Sequence, residues 1–251
     1  MLAPSIRFNY LRSCFLNLHD DGPSKARINA DYIKNEVFAL KKTRQTSLRK
    51  KDAAVSKLVK EVMDTKKLEH MIQLLYSCSQ ARIVLSDKNF IAFNSLLEKK
   101  YKYLSTFNLG RMLYGLGSAS SESPLVRQYI ATISNKCIVE KRTEVNTPVG
   151  ISMSFYGLKK MSSEHAEVRS LVGYLENMLM VMPLPLGAQA VGNSLYGLQS
   201  MNSAHPEVRA LVRTLAGKVA NCQEELKSQA IGNCFYGLKG MSSDHAESSC
   251  W

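Results

Sequence analysis

Apolar residues in the second half of the chain recur at spacings of three and four. Within residues 187–201 they are Ala188, Val191, Leu195 and Leu198, and within 206–215 they are Val208, Leu211, Val212 and Leu215. Such spacing places each set on one side of an α-helix. A polar turn, 202–205, separates the two blocks, and Pro206 suits the first turn of a helix, where its missing N–H is not needed. The pattern predicts a helix–turn–helix unit, whose members we call helix A and helix B.

The unit recurs around the core Leu/Phe-Tyr-Gly-Leu. Its tyrosines, spaced 42, 40 and 40 residues apart, are Tyr114, Tyr156, Tyr196 and Tyr236, and a fainter copy surrounds Tyr76. Helix B is predicted to begin ten residues after each tyrosine. A period near 40 is typical of stacked helical hairpins. We therefore predict an all-α fold, an α-solenoid of helix–turn–helix repeats of about 40 residues.

Three segments follow from this pattern. Residues 70–251 are predicted to hold about four and a half repeats, and the last is truncated because 245–251 lack the helix B pattern. The missing helix B indicates either that the chain is a fragment or truncated product, or that another subunit covers this end. Residues 36–69 are predicted to form a basic helical lead-in. Residues 1–35 are predicted to be a transit peptide and linker, since 1–19 are amphipathic, carry two arginines and contain no acid.

Charge narrows the choice of partner. The net charge of +12 favours a polyanion such as nucleic acid, although charge also keeps a basic protein soluble. Part of it lies in a basic arm that is either a phosphate-contacting stretch or simply a solvated helix face or flexible arm. Its residues are Lys41, Lys42, Arg44, Arg49, Lys50 and Lys51. No apolar run is long enough to cross a membrane, so no membrane partner is expected.

The face of helix A turned away from helix B is the candidate binding surface. At 100° per residue, it carries one tyrosine per repeat and a variable residue three positions earlier. The candidates are Arg111, Tyr114, Met153, Tyr156, Gln189, Asn193, Tyr196, Gln229, Asn233 and Tyr236. An aromatic ring could stack on a base while an amide or guanidinium reads the base edge. Alternatively, the tyrosines pack against the adjacent repeat.

Other recurring residues are read structurally. Two columns of helix A hold glycines that are predicted to let neighbouring repeats approach closely. One is Gly115, Gly157, Gly197 and Gly237, and the other is Gly110, Gly192 and Gly232, with Ser152 at the remaining place. His165, His205 and His245 are predicted to be turn residues, too far apart to share a metal ion. The arginines Arg127, Arg169 and Arg209 form either a second basic stripe or ion pairs with a neighbouring Glu such as Glu167 or Glu207.

The core resembles a known class of repeats. Residues 189–198 and 229–238 share the pattern Gln-Ala-x-Gly-Asn-x-φ-Tyr-Gly-Leu, where φ is apolar. This is similar to helix A of octotricopeptide and heptatricopeptide repeats, found in organellar RNA-processing proteins with RAP domains and in RNA-editing accessory proteins. The resemblance covers about residues 70–251 and implies an α-solenoid acting on mitochondrial or plastid RNA. The chain departs from it where Tyr-Gly replaces Trp-Ala and Met153 replaces Asn.

These features together predict a non-catalytic protein that binds single-stranded RNA in organellar RNA processing, with other RNA-processing proteins as further partners. The alternative function is a protein-interaction scaffold with an architecture like that of HEAT or armadillo repeats. The alternative location is the cytoplasm. An enzyme is not expected, because no catalytic carboxylate pair, nucleophile motif or nucleotide loop stands out. We likewise expect no cofactor, no metal ion and no small-molecule substrate.

Overall fold

A computed structural model describes residues 28–42, 48–139, 147–242 and 244, apart from the side chains of 48–51, 106 and 137–139. The described residues are helical and contain no strand, which confirms the all-α prediction for them. Eleven α-helices occur in these ranges: α1 Ala30–Lys42, α2 Leu48–Asp64, α3 Leu68–Ala81, α4 Asn89–Lys100, α5 Thr106–Gly115, α6 Pro124–Val139, α7 Pro148–Gly157, α8 Ala166–Val181, α9 Ala188–Tyr196, α10 Pro206–Ala220 and α11 Ser228–Gly237. Two short 3-10 helices span Tyr101–Tyr103 and Leu116–Ser118.

Alternate helices pack side by side in chain order. The odd-numbered helices form one series of neighbours, from α1 through α3, α5, α7 and α9 to α11. From α4 onward, the even-numbered helices form a second series through α6, α8 and α10. We call the odd series the A helices and the even series the B helices. Each helix thus contacts its counterpart in the neighbouring repeat.

The predicted start of helix B is confirmed in three repeats, where α6, α8 and α10 begin ten residues after the tyrosine. The first repeat differs, because α4 begins at Asn89, thirteen residues after Tyr76. Caps explain several A-helix starts. The side chains of Ser105 and Thr147 accept hydrogen bonds from the N–H groups of Asn108 (3.2 Å) and Gly150 (3.0 Å).

The core lies between the two series. Its apolar side chains come from the stripes that the spacing predicted, so Val191, Leu195 and Leu198 on one side and Val208 and Leu211 on the other are fully buried. Burial of such side chains contributes about 1.5–3 kcal/mol each.

The N-terminal region is more repeat-like than the sequence suggested. Helix α1 begins at Ala30, within the predicted linker, and packs against α3 as the other A helices pack on their neighbours. Its Phe38 lies 38 residues before Tyr76, and Lys41 Nζ lies 5.8 Å from the Phe38 ring centre. Helices α1 and α2 contact each other, and both contact α3. The predicted transit peptide, 1–19, lies outside the described residues.

Candidate nucleic-acid interface

Glycines bring the A helices close together. An added Cβ would lie 1.9 Å from the Leu113 carbonyl oxygen at Gly157, and 2.0 Å from the Phe155 oxygen at Gly197. Gly237 repeats this, with its Cβ position 1.9 Å from the Leu195 oxygen. Because a backbone carbonyl cannot swing aside, these positions admit only glycine at this helix separation. The prediction that the glycines are packing devices between repeats is confirmed for this column and for Gly110 and Gly192, but it is wrong for Gly232, where an added Cβ has nothing within 4 Å.

Close approach stacks the tyrosines into one column. The ring centres of Tyr114 and Tyr156 lie 5.1 Å apart, those of Tyr156 and Tyr196 5.5 Å, and those of Tyr196 and Tyr236 5.7 Å, with interplanar angles of 15–24°. Tyr76 continues the column at 5.1 Å from Tyr114, tilted by 53°. The rings thus pack against the adjacent repeat, as the alternative reading held. A base inserted between two rings would have to separate the helices that the glycines hold together.

Among the described A helices, α11 is the last in chain order, and several of its side chains are exposed. Tyr236 is 49% exposed, whereas Phe235 is 75% exposed and Ile231 42%. The residues equivalent to Phe235 in the two preceding A helices, Phe155 and Leu195, are fully buried. Among the described residues, Tyr236 is therefore the one member of the column with a ring face that no following tyrosine covers.

Arg111 is held by its own neighbours. Its guanidinium donates a hydrogen bond to Gln73 Oε1 and lies 5.0 Å from the centre of the Tyr76 ring and 5.9 Å from that of Phe107. Gln73 is in turn anchored, because its Nε2 donates to Ser77 Oγ at 2.7 Å. Burial lowers the pKa of Arg111. Arg111 is thus a packing and stacking group rather than a freely extending one.

The amides of α9 and α11 are free. Gln189 and Asn193 lie four residues apart on α9, and Gln229 and Asn233 occupy the same positions on α11. Both glutamines are exposed and both asparagines are partly buried. Within the described ranges, none of these four side-chain amides makes a hydrogen bond. On α7 the same two positions carry Val149, 59% exposed, and Met153.

Lysines flank the tyrosine column. Lys159 Nζ lies 4.2 Å from the centre of the Tyr156 ring, and Lys239 Nζ lies 4.4 Å from that of Tyr236. Burial lowers the pKa of Lys159, and nearby Arg82 lowers it further, while Tyr196 opposes the shift. A cation over a ring is attracted by the ring quadrupole. These ammonium groups therefore have fixed places beside the rings, as the sequence pattern alone did not reveal.

At the turns between helices A and B, the recurring arginines are bonded within the protein, unlike the amides of α9 and α11. Arg127 donates to the carbonyls of Ser121 (2.8 Å) and Glu122 (3.0 Å), and Arg169 and Arg209 repeat this pattern in their own turns. Ion pairs of 3.9 Å join Arg127 to Glu167 and Arg169 to Glu207. The ion-pair alternative is confirmed for Arg127 and Arg169, while Arg209, among the described residues, is bonded only to the carbonyls of its own turn.

Successive turns are also bonded to each other through buried serines. Ser121 Oγ accepts from the N–H of Ser162 (2.8 Å), Ser163 Oγ from that of Asn202 (2.9 Å), and Ser203 Oγ from that of Ser242 (2.8 Å). His165 and His205 pair with Glu122 and Glu164 of the preceding turns, at 3.3 and 3.2 Å. Their predicted role as turn residues is confirmed, while His245 lies outside the described residues.

The described residues of the basic arm belong to α1 and α2. Lys41 and Lys42 are exposed in the last turn of α1, and Arg49, Lys50 and Lys51 lie in the first turn of α2. Arg44 lies outside the described residues.

Comparison with family models, with curated proteins and with solved structures gives no match to this chain. Among the described residues, no helix combines the length and apolar character needed to cross a membrane. In the same residues, no three His, Cys, Asp or Glu side chains come together as a metal site would require. Cys78 is buried, which raises the pKa of its thiol to about 12.

Proposed function

We propose that this chain is a non-catalytic RNA-binding protein, an α-solenoid whose A helices present single-stranded RNA with a continuous surface. The side-by-side packing of counterpart helices supports the solenoid arrangement. The observation that carries RNA binding is the pair of amide-bearing helices, α9 and α11, beside the ring-bound ammonium groups of Lys159 and Lys239. Free amides suit base edges, and fixed cations suit phosphates.

The stacked rings change how a strand would lie on this surface. Within the column, ring faces are covered by neighbouring tyrosines, so bases would approach ring edges and the flanking amides. The strand would therefore be read mainly by hydrogen bonds and held by charge.

Location and wider role belong to the same proposal. The acid-free amphipathic segment 1–19 supports import into a mitochondrion or plastid. The resemblance to octotricopeptide-like repeats supports a role in organellar RNA processing, alongside other RNA-processing proteins.

A charge-matched pair of variants tests the RNA surface. Binding of labelled single-stranded RNA is measured over a salt series for the full chain, for Lys159→Gln/Lys239→Gln, and for Lys99→Gln/Lys100→Gln in the last turn of α4. Loss of two phosphate contacts should reduce the salt slope by about 1.4. We expect this change only for the first pair. Equal effects of both pairs would indicate unspecific attraction, and no binding at low salt would refute the proposal.

A protein scaffold remains the second candidate, favoured by exposed apolar side chains on the same face. Val149 is 59% exposed and Phe107 39%, and both belong to A helices. Apolar contacts of this kind bind a partner with little dependence on salt. A partner whose affinity is insensitive to salt and falls on Val149→Ser would support the scaffold over RNA binding.

A further inference from the structure

The position three residues after each tyrosine differs from one A helix to the next. In chain order it holds Ser79, Gly117, Lys159, Gln199 and Lys239. Gly117 has no side chain, and its neighbours on both sides extend towards the space above it. A Cβ added at Gly117 would lie 3.3 Å from Ser79 Oγ and 3.5 Å from Lys159 Nζ. A hydroxyl from α3 and an ammonium group from the end of α7 therefore face the same small recess.

Both polar groups of the recess have hydrogen-bonding capacity left. Ser79 is only 9% exposed, and its hydroxyl makes no hydrogen bond within the described ranges. The Lys159 ammonium group is held 4.2 Å from the centre of the Tyr156 ring and pairs with no carboxylate in the same ranges. Gly117 itself is buried and forms the floor. The recess thus offers two donors that nothing in the described part of the chain uses.

A second cation stands beside the recess. Arg82 directly follows α3, in a left-handed conformation with φ of 59°, and is exposed. Beyond the effect of burial, Arg82 lowers the pKa of Lys159, so the two charges act on each other. Arg82 likewise makes no ion pair with a described residue. Two neighbouring cations without a carboxylate attract an anion.

The number of donors favours one kind of anion. A phosphate monoester has three terminal oxygens and a charge of about −1.5 to −2 at neutral pH, whereas an internal RNA phosphate has two free oxygens and a single charge. A guanidinium can bind two phosphate oxygens side by side, which leaves the third for an ammonium or hydroxyl group. The floor of the recess also suits a chain end, because an internal phosphate is flanked by two sugars.

We propose that Arg82, Lys159 and Ser79 bind a terminal phosphate monoester of an RNA strand, in the space that Gly117 leaves open. The equivalent place before Lys239 is taken by Gln199, whose amide donates to the Tyr196 carbonyl at 3.2 Å. This inference rests on the proposed RNA binding and names the strand ends that the protein prefers.

The first experiment compares strands that differ only at their ends. Affinities of the full chain are measured for internally labelled U12 with a 5′-phosphate, with a 3′-phosphate, or with hydroxyls at both ends. We expect a terminal phosphate to tighten binding at least about tenfold, the effect of one charge-assisted hydrogen bond. The two phosphorylated strands tell which terminus the site takes. A methyl ester of the preferred phosphate removes one charge and should lose most of the gain.

Variants assign the preference to the recess. Gly117→Gln fills the space with the side chain that follows Tyr196 at this position and leaves the charge unchanged, so it should remove the preference. Arg82→Gln changes an exposed side chain and should also remove it, even if Gly117→Gln is less stable. Lys239→Gln is the matched control, because it removes a cation of the same column and should weaken all strands alike.

The possible outcomes separate the two proposals. Salt-dependent binding with equal affinity for all strands would overturn recognition of a terminal phosphate but leave RNA binding intact. Retention of the preference in both Gly117→Gln and Arg82→Gln, or its loss in Lys239→Gln, would overturn the assignment to this recess. If none of the strands binds, both proposals fail.

Discussion

The turns and the A-helix face repeat with the same period, but their polar groups behave differently. At the turns, Arg169 donates hydrogen bonds to two carbonyls of its own turn, and the Ser163 hydroxyl accepts one from the N–H of Asn202 in the next turn. On the A-helix face, the amides of Asn193 and Asn233 have no partner in the described part of the chain. The turns are therefore closed by their own hydrogen bonds, whereas the face has hydrogen-bonding capacity left over.

This difference separates two kinds of repeated residue. Residues that recur unchanged, such as the core glycines and the turn arginines, have their recurring contacts inside the protein. The positions that vary behave differently from one repeat to the next: Arg111 bonds Gln73 of the preceding repeat, whereas the amide of Asn193 makes no hydrogen bond within the described ranges. Identity across repeats thus accompanies a structural role, while a varying position is a candidate for binding only where its side chain is left without a partner.

The largest expected effect comes from breaking a glycine junction. Gly157→Ala places a Cβ 1.9 Å from the Leu113 carbonyl oxygen, so α5 and α7 must move apart. We expect destabilisation of at least about 3 kcal/mol, the upper part of the range for overpacking. Thermal and urea unfolding, followed by circular dichroism, measure it.

Gly232→Ala is the matched control. Gly232 lies within helix α11 but has nothing within 4 Å of the added Cβ. Alanine is favoured over glycine in a helix by about 1 kcal/mol, so this variant should be more stable than the parent. Destabilisation of both variants to the same extent would show that the junction is not the cause.

A smaller loss is expected at the turns. Ser163 is 1% exposed, and its hydroxyl accepts the N–H of Asn202 in the next turn. Ser163→Ala leaves that N–H without its acceptor, which should cost about 1–3 kcal/mol in unfolding free energy. Ser162→Ala removes only a local bond to the exposed N–H of Glu164 and should cost about 0.5 kcal/mol or less. Equal losses would contradict the role assigned to the buried hydroxyls.

Much of the helical architecture could be predicted from the sequence, because the spacing of apolar residues follows helix geometry and the repeat period follows the length of one helical hairpin. The helix B starts at Pro124, Ala166 and Pro206 followed from the repeat, and so did the packing role of Gly157. The predicted helical lead-in began at residue 36 and so covered only the second half of α1, whose Val37-Phe38-Ala39-Leu40 core lacks the Tyr-Gly signature.

The candidate face was less predictable than the helices. A helical projection places Tyr156 and Arg111 on a surface but does not include the neighbouring helix. Ring stacking at 5.1–5.7 Å and the Arg111–Gln73 bond arise only when counterpart helices meet. Which polar groups remain free is therefore a property of packing, and the freedom of Asn193 could not be read from its position.

Alkaline pH should lower the unfolding free energy through Tyr114, by less than the Ser163→Ala change does. Burial, with smaller contributions from Tyr156 and Tyr76, raises the pKa of Tyr114 to about 12 from its ordinary value of 10.0. The unfolded chain then loses this proton at lower pH than the folded one. The contribution of the protonated Tyr114 hydroxyl to the unfolding free energy is complete below pH 10 and is lost as pH rises towards 12.

Urea unfolding at intervals from pH 8 to 11 measures this dependence. Tyr114→Phe keeps the ring but removes the ionisable hydroxyl, so stability should fall less steeply above pH 10. Tyr103→Phe is the control, because Tyr103 is 73% exposed and lies outside the column. An unchanged slope for Tyr114→Phe would argue against a buried hydroxyl at this position.

The smallest effect on stability is expected at the A-helix face itself. Asn193→Ala removes a side-chain amide that makes no hydrogen bond within the described ranges, and alanine favours the helix. The unfolding free energy should change by no more than about 0.5 kcal/mol, in contrast to Ser163→Ala. A loss of about 1 kcal/mol or more in the absence of RNA would mean that Asn193 supports the fold as the turn residues do. The two regions would then not differ in the way that makes this face a binding surface.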